Sequence, residues 1–277
     1  MKNEIRLYTN EGNHQMMSFV ITTEDDKLIV IDGGYDEDAA PLFAHLCELS
    51  GSETPHIDAW FLTHAHSDHI NAFAAFCEKY RNRFTCDGVY YTFPSIPYFE
   101  RYETGTAPTL ARFYKNLPAF AACARVVSTG DVYKIGAASF EILQTYDDTE
   151  TYDIVNNSST VFRMTLGGKT VLFMGDAGEN AGKRLLARYG SALKSDICQP
   201  AHHGQDACLE DVYTAIAPDI CLWCTPDWLW ENNLYLSRDP STVGCGPFTT
   251  LDTRAWMEKL GVSQHYIAKD GDCVIPL

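Results

Sequence analysis

Residues 63–69 read THAHSDH and directly follow an apolar stretch, DAWFL. His64, His66, Asp68 and His69 therefore fall within six residues, where a buried strand gives way to a helix. Side chains two residues apart on extended backbone point the same way, so His64 and His66 can approach one ion. Asp68 and His69 follow on the turn and can point at a second ion. Imidazole and carboxylate ligands suit zinc, and also iron or manganese.

The alternative is a polar loop of solvated histidines. The chain has nine histidines in all, and a chance cluster of three beside a buried strand is improbable. The metal-ligand interpretation is therefore preferred.

The flanking sequence alternates between strand and helix patterns. Two apolar strands end in aspartate beside glycine, LIVIDGG at 28–34 and VLFMGDAG at 171–178. The apolar run at 28–31 is typical of a strand buried on both faces. Helical spacing or end signals predict helices at 36–50, 72–80, 179–189 and 251–260. No linker rich in proline, glycine or serine divides the 277 residues, so we predict a single domain over residues 1–277.

Residues 88–127 form the least regular segment, and the first part is rich in tyrosine and phenylalanine. The pattern predicts an aromatic insertion that contains a helix around 109–124. Such a segment could wall a substrate cleft or simply pack onto the body of the protein, and packing is the more common arrangement.

Composition limits the class of protein. Hydrophobic residues make up 45% and charged residues 21% of the chain, which excludes general disorder. No apolar run approaches the roughly 18 residues that a membrane-spanning helix needs. The first residues, MKNEIRLYTN, lack a signal-peptide pattern. The ten cysteines are then expected to be reduced thiols of a cytoplasmic protein.

The net charge of −16 makes nucleic acid and anionic membrane unlikely partners. It leaves a small anionic ester possible as the substrate, because a buried metal cluster can reverse the sign of the local field. The sequence does not settle the oligomeric state.

The 64–69 motif resembles the HxHxDH signature of the metallo-β-lactamase fold superfamily, whose members are mostly dinuclear metal hydrolases. The other elements of the family pattern follow in order. Asp32 resembles the acidic residue that ends an early strand and supports the metal site from behind. Asp176 resembles the carboxylate that bridges the two ions, and the HHG at 202–204 resembles the late histidine motif.

The sequence NNSS at 156–159, followed by LFMGD and HHG, is similar to a narrower branch of that superfamily. This branch contains the hydrolase domain of competence (DNA-uptake) proteins, and phosphorylcholine esterases of surface teichoic acid look related. The resemblance runs from about residue 4 to the C-terminus. It implies an α/β fold, a four-layer αββα sandwich, with a dinuclear site at the edge of its two sheets.

The resemblance also implies the ligands of two divalent ions, with zinc favoured and manganese or iron as alternatives. The implied sets are His64, His66 and Asp176 for the first ion, and Asp68, His69, Asp176 and His203 for the second. His203 is favoured over His202 as the ligand, and His202 then becomes a donor to the substrate or leaving group. In the alternative, one of these two histidines only packs against or orients the other.

The chain departs from the family pattern at one position. Many members have another histidine between the HxHxDH motif and the bridging aspartate, but this chain has none between His69 and His202. Asn157 occupies that place in order, and we expect it to hydrogen-bond the reactive water or the substrate. The predicted catalytic residues are therefore Asp68, His202 and Asn157.

These features predict a metal-dependent hydrolase that uses a metal-bound hydroxide on a phosphodiester or phosphomonoester. Two divalent ions with two aspartates and a bridging hydroxide keep a charge of about +1, which suits an anionic ester. The alternatives are a hydrolase of carboxylic esters, lactones or thioesters, a nuclease, or a degenerate module that binds metal or ligand without turnover. A nuclease would require a basic groove, whereas the 21 basic residues are scattered along the chain.

Overall fold

The architecture was obtained as a computed structural model that describes residues 1–10 and 12–277. The strands are β1 (Glu4–Leu7), β2 (Ser18–Thr22), β3 (Leu28–Asp32), β4 (His56–Ile57), β5 (Ala59–Phe61), β6 (Thr85–Cys86), β7 (Val89–Tyr91), β8 (Ala124–Val126), β9 (Val132–Ile135), β10 (Ala138–Gln144), β11 (Val161–Leu166), β12 (Lys169–Phe173), β13 (Ile197–Gln199), β14 (Ile220–Trp223), β15 (Gln264–Ile267) and β16 (Cys273–Pro276). The α-helices are α1 (Ala39–Ser50), α2 (Ser67–Lys79), α3 (Ile96–Tyr102), α4 (Ala107–Asn116), α5 (Glu179–Tyr189), α6 (Glu210–Ile216), α7 (Asp227–Trp230) and α8 (Thr250–Leu260).

Fourteen of these strands form two seven-stranded mixed sheets, and β4 and β6 form a separate two-stranded sheet. The first has the order β16-β1-β2-β3-β5-β7-β8, and the second has the order β15-β14-β13-β12-β11-β10-β9. In the first sheet β3, β5, β7 and β8 run parallel, and in the second β12 to β15 do. The carboxyl ends of these parallel strands and the loops that follow them therefore share one edge of each sheet.

Three apolar clusters hold the layers together. The cluster between the sheets includes Phe19, Phe61, Phe140 and Phe162, all buried, and the rings of Phe61 and Phe140 stack with centroids 4.4 Å apart. A second cluster lies between the first sheet and α1, α2 and α4, and a third lies between the second sheet and α5, α6 and α8. The layers are thus helix, sheet, sheet and helix, which confirms the predicted α/β sandwich.

Burial on both faces explains why the central strands are apolar throughout. Every residue of β3, LIVID, is buried, because helices cover one face and the second sheet covers the other. The last residue of this strand, Asp32, is buried but polar. It marks the point where the strand reaches the loops at the sheet edge.

Most predicted elements agree with the structure, but three helices differ in their bounds by three residues or more. Helix α1 begins at Ala39 rather than at residue 36. Helix 179–189 is confirmed with the same bounds. Helix α2 begins at Ser67, five residues before the prediction, because the polar first turn concealed the helical spacing. The predicted helix at 109–124 is too long, since α4 ends at Asn116. Pro118 has no amide hydrogen to donate to the preceding turn, so the helix gives way to a 3₁₀ turn.

The aromatic segment 88–127 contributes mainly to packing. Phe93, Phe99 and Phe113 are buried in the cluster beneath α2 and α4, while the segment's two strands β7 and β8 extend the first sheet. The ten cysteines all carry free thiols. In the described residues, 1–10 and 12–277, no helix is both long enough and apolar enough to cross a bilayer.

Candidate metal centre

The loops at one edge of the sandwich bring together residues from three distant parts of the sequence. Strand β5 leads into the 64–69 motif, β12 leads to Asp176, and β13 leads to His203. Within each of two side-chain groups, one ligand atom per residue lies within 4.8 Å of the others. The groups are His64, His66 and Asp176, and Asp68, His69, Asp176 and His203. They are the same sets that the family resemblance implied, with Asp176 common to both.

Asp32 supports this cluster from the end of β3. Its two carboxylate oxygens accept hydrogen bonds from the backbone N–H of Thr63 at 2.8 Å and the Thr63 hydroxyl at 2.7 Å. Its Oδ2 also lies 2.7 Å from Nδ1 of His69. The backbone of Asp32 is left-handed, with φ 53°. Residues held in this region often belong to functional sites, where the surrounding bonds maintain the conformation.

The ligand atoms have the spacing of a metal centre. Ligands about 2.0–2.1 Å from a tetrahedral zinc lie about 3.3 Å from one another. Oδ2 of Asp176 is 3.2 Å from Nε2 of His69 and 3.4 Å from Nε2 of His203. Nε2 of His203 is also 3.2 Å from Oδ2 of Asp68. The distances of the second group therefore fit one ion.

Buried polar atoms without partners provide an independent test of the fit. Nε2 of His69, Nε2 of His203 and both carboxylate oxygens of Asp176 are buried and lack a hydrogen-bond partner. Buried polar groups are normally satisfied, and exceptions call for an explanation such as an ion. Two cations between these atoms would satisfy them, so the residues present fit a pair of divalent ions.

Hydrogen bonds behind the imidazoles fix which nitrogen faces the cluster. Nδ1 of His203 donates to the backbone carbonyl of Cys224 at 2.9 Å, which leaves Nε2 directed inward as the nitrogen available to a metal ion. Nδ1 of His69 is held by Asp32, with the same result. In the first group, Nε2 of His66 lies 3.5 Å from Oε1 of Glu103, and its Nδ1 lies 3.0 Å from Nε2 of His64. Backing of this kind orients metal-binding histidines.

Electrostatics in the cluster shift the ionisation of its members. Burial opposes charge on an imidazole, yet the carboxylates of Asp176 and Asp68 outweigh it and raise the pKa of His69 well above its usual range. The same two carboxylates raise the pKa of His203 to about 9 against the effect of burial. Burial lowers the pKa of His64, and positive charge on His69 lowers it further. Without metal, protons on His69 and His203 balance the carboxylates.

We therefore expect zinc binding to the metal-free protein to release protons at pH 7 and to weaken as the pH falls. Imidazole binds a metal only when it is deprotonated, and His203 has a raised pKa. The stability of the metal-free fold depends on pH in the opposite direction. The contribution of His203 is fully present below its ordinary pKa of 6.5 and is lost as the pH rises through about 9.

Calorimetric titration with zinc in buffers of different ionisation enthalpy, at several pH values, measures the proton release. Binding without proton release, at an affinity that does not change with pH, would contradict this assignment of charge.

The structure distinguishes the two neighbouring histidines of the HHG motif. The His203 side chain is fully buried with Nε2 in the cluster, while the His202 side chain keeps 17% of its surface exposed. Nδ1 of His202 donates to the backbone carbonyl of Asp206 at 3.2 Å, and Nε2 lies 4.0 Å from Oδ2 of Asp176. His202 thus lies at the mouth of the centre, where it can meet a substrate.

The expectation for Asn157 needs correction. Its Oδ1 accepts from the backbone N–H of Ala181 at 2.8 Å, and its Nδ2 donates to the backbone carbonyl of Tyr152 at 3.0 Å. Both ends of the amide are thus engaged in holding the first turn of α5 against the 152–157 loop. The order of residues along the chain placed Asn157 near the centre, but the side chain turns toward the helix.

Sequence reasoning missed other residues around the centre. Glu103 reaches His66 from the irregular aromatic segment, and no spacing signal pointed to it. Nε2 of Gln15 donates to Oδ2 of Asp68 at 3.4 Å, and Nε2 of Gln205 donates in turn to Oε1 of Gln15 at 3.2 Å. Isolated glutamines carry no recognisable pattern, so only the fold reveals this chain of hydrogen bonds.

The fold and the paired ligand groups define a class of metal-dependent enzyme built on two facing sheets. The chain belongs to the metallo-beta-lactamase superfamily, because the sequence profile of that superfamily matches residues 12–210. This membership supports the predicted enzyme class, a metal-dependent hydrolase. Among curated protein sequences, none matches this chain significantly.

Solved structures of low sequence identity share the fold. The metallo-beta-lactamase fold protein YhfI from Bacillus subtilis is 12% identical, with a TM-score of 0.55 and 98% of both chains covered. CmlA, a diiron beta-hydroxylase from Streptomyces venezuelae, is 12% identical, with a TM-score of 0.58. That match covers 100% of this chain and 55% of CmlA, so the chain spans about half the length of that protein. The fold therefore occurs with more than one chemistry.

Proposed function

We propose that this protein hydrolyses a phosphodiester or phosphomonoester with two divalent ions held by its two ligand groups. The observation that carries the proposal is the position of Asp176, which belongs to both groups and has both carboxylate oxygens buried without hydrogen-bond partners. A carboxylate shared in this way would hold two ions side by side. A pair of ions in that arrangement suits the in-line displacement at phosphorus.

The ligand chemistry favours zinc, with manganese or iron as the alternatives. All ligand atoms are imidazole nitrogens or carboxylate oxygens, and neither group contains a cysteine thiolate. When bound, two divalent ions would lower the pKa of a water molecule toward neutrality and polarise the ester oxygen. The diiron centre of CmlA is a property of that protein, and it makes iron the first alternative to test here.

The protein's own residues orient the reaction. Asp32 and Glu103 hold the imidazoles of His69 and His66 in place, so the ligand geometry is fixed before substrate arrives. In hydrolysis, water supplies the oxygen that bonds to phosphorus, the bond from phosphorus to the alcohol oxygen breaks, and the alcohol takes a proton. His202, at the mouth with Nε2 directed toward Asp176, is placed to give that proton in its imidazolium form.

A comparison of two alanine variants tests this division of roles. We expect His203→Ala to lose about one zinc per chain, because His203 belongs to the second group alone. We expect His202→Ala to keep both ions but to lower kcat about 10²–10⁴-fold, the range for loss of a general acid. Metal analysis by mass spectrometry and turnover of a 4-nitrophenyl phosphodiester, the corresponding phosphomonoester and a 4-nitrophenyl carboxylic ester provide the two readouts.

His45→Ala is the matched control, because His45 lies on α1, is partly exposed and belongs to neither ligand group. It should change neither metal content nor kcat. Protein with two zinc ions per chain that cleaves only the carboxylic ester would overturn the phosphoesterase proposal in favour of an ester, lactone or thioester hydrolase. Loss of metal in His202→Ala would show that the roles of the two histidines are reversed.

A further inference from the structure

A cavity of about 370 Å³ lies between helices α7 and α8 and strands β14 and β15. Among the described residues, its lining includes none of the predicted metal ligands and none of the predicted catalytic residues. Cavities of about 300–1,000 Å³ hold small organic molecules. This cavity is therefore a separate space from the candidate metal centre, and the chemistry of its wall decides what it can bind.

The cationic group of the wall is the guanidinium of Arg254, on α8. Its Cζ lies over the ring of Trp230, 4.1 Å from the ring centroid. Its Nη1 donates to the backbone carbonyl of Trp230 at 2.7 Å. A planar guanidinium that is both stacked and hydrogen-bonded keeps one orientation, so it is already positioned before any ligand arrives.

The opposite edge of the same guanidinium is unused. Across residues 1–10 and 12–277, Nε and Nη2 of Arg254 have no hydrogen-bond acceptor, and no carboxylate oxygen lies within 4.0 Å of the guanidinium. Both nitrogens are accessible, unlike the unpartnered nitrogens of the metal centre, which are buried. The N–H groups at this edge are parallel and match the two oxygens of a carboxylate.

The other charges of the wall limit the ligand to a single negative charge. Nδ1 of His265 accepts from Nε1 of Trp223 at 3.0 Å, and burial together with the charge of Arg254 lowers the pKa of this histidine. Arg254 therefore supplies the only full positive charge among the described lining residues. Glu258, four residues further along α8, lines the cavity too, and it would repel a ligand that carried two negative charges.

Apolar side chains flank the guanidinium on the same wall. Leu251 keeps 42% of its surface exposed, Ala255 is exposed and the ring of Trp230 is half-buried, and all three line the cavity. A ligand that covered them would gain from the removal of apolar surface from water. The wall thus combines one oriented cation with an accessible apolar surface.

The inner end of the cavity lies behind the HHG turn. Trp223 is fully buried and closes this end. The other side of its ring packs against Gly204, where an added Cβ would lie 2.7 Å from Cζ3 of the indole. The residue after Trp223, Cys224, accepts the hydrogen bond from Nδ1 of His203. A ligand in the cavity would therefore adjoin the residues that support His203 without touching the metal ligands.

We propose that this cavity is a second ligand site, which binds a small organic carboxylate with an apolar body. The two carboxylate oxygens accept from Nε and Nη2 of Arg254, and the body lies on Leu251, Ala255 and the indole of Trp230. The net charge of −16 does not oppose this, because exposed charges beyond about 8 Å are largely screened at physiological salt. The site does not depend on the phosphoesterase function proposed above, since it uses none of the residues of that function.

Matched ligands test the inference by binding. The zinc-loaded full chain is titrated calorimetrically with 2-naphthylacetate, with 2-naphthylacetamide as its neutral isostere, and with acetate. We expect the naphthyl acid to bind about 10-fold more tightly than the amide, because its hydrogen bonds to Arg254 are charge-assisted. Acetate should bind most weakly, because it lacks the apolar body. Equal binding of the acid and the amide would overturn the inference.

Two substitutions in the cavity should act in opposite directions. Arg254→Gln should weaken binding of the naphthyl acid about 10-fold and leave that of the amide unchanged. Glu258→Gln should strengthen binding of the acid about 2-fold, because it removes one exposed like charge. Arg81→Gln is the control, since Arg81 is an exposed arginine that does not line the cavity.

The variants also separate this site from the metal ions, to which a carboxylate could bind. Naphthylacetate should bind equally well to the metal-free protein, and binding that requires zinc and survives Arg254→Gln would overturn the inference by assigning the anion to the metal centre. If Arg254→Gln does not fold, Glu258→Gln decides, because its side chain is exposed and its replacement leaves Arg254 in place. Unchanged or weaker binding of the acid by Glu258→Gln would then overturn the proposed site.

Discussion

Asp176→Asn should remove most of the bound metal and abolish turnover, because Asp176 is the one side chain common to both ligand groups. Loss of partners that only orient a ligand typically costs 10–100-fold in metal affinity or activity. Loss of a shared ligand should exceed that, so we expect activity to fall by more than about 100-fold and metal content to fall below one ion per chain. Atomic mass spectrometry of dialysed protein and the turnover assay measure both effects.

The same substitution should not unfold the metal-free protein. Asp176 carries a carboxylate without hydrogen-bond partners in a buried cluster, and in the metal-free form only the protonated His69 and His203 balance its charge. Asparagine has nearly the same shape and removes a buried charge, so thermal unfolding of the metal-free variant should stay close to that of the metal-free parent.

Asp196→Asn serves as a control that should retain two ions, because Asp196 bonds Thr170 at the other end of β12. An Asp176→Asn protein that keeps both ions and its activity would refute the shared-ligand assignment.

The convergence of the candidate ligands could be predicted from the sequence where these residues are adjacent and the backbone is regular. His64, His66, Asp68 and His69 lie within one strand-to-helix junction, so their convergence follows from local geometry. Asp176 lies more than a hundred residues further along the chain, and its convergence depends on how the two sheets pack. Only the family resemblance supplied that part.

The main error in the predictions from sequence concerned the direction of a side chain. Asn157 occupies the expected place along the chain, yet its amide is used by the backbone of Ala181 and Tyr152. The amide of its neighbour Asn156 turns the other way and donates from Nδ2 to Asp153 at 2.9 Å. In a 3₁₀ turn adjacent residues point in quite different directions, so position in the sequence could not decide between the two. The contact of Glu103 with His66 could not be predicted from the sequence for a related reason, since Glu103 lies in a segment without regular periodicity.

Asp32→Ala is expected to lower the free energy of unfolding by about 3–5 kcal/mol, the range for removing one partner of a buried ionic group. Asp32 accepts hydrogen bonds from the N–H and hydroxyl of Thr63 and holds Nδ1 of His69. Alanine leaves all three of these groups buried without their partner. It must also adopt φ 53° at this position, which residues with a Cβ seldom do, whereas asparagine tolerates it.

Asp32→Asn therefore separates the backbone effect from the loss of charge. Its amide oxygen can still accept from Thr63, so it should recover part of the lost stability. Its neutral side chain cannot hold His69 as strongly, and zinc affinity should remain 10–100-fold below that of the parent. Denaturant unfolding of the metal-free proteins and competition titration with a zinc chelator give the two quantities separately. The expected loss of zinc affinity rests on the contact between Asp32 and the imidazole of His69. Parent-like zinc affinity in Asp32→Asn would therefore mean that Asp32 stabilises only the loop at 63–69 and does not contribute to metal binding.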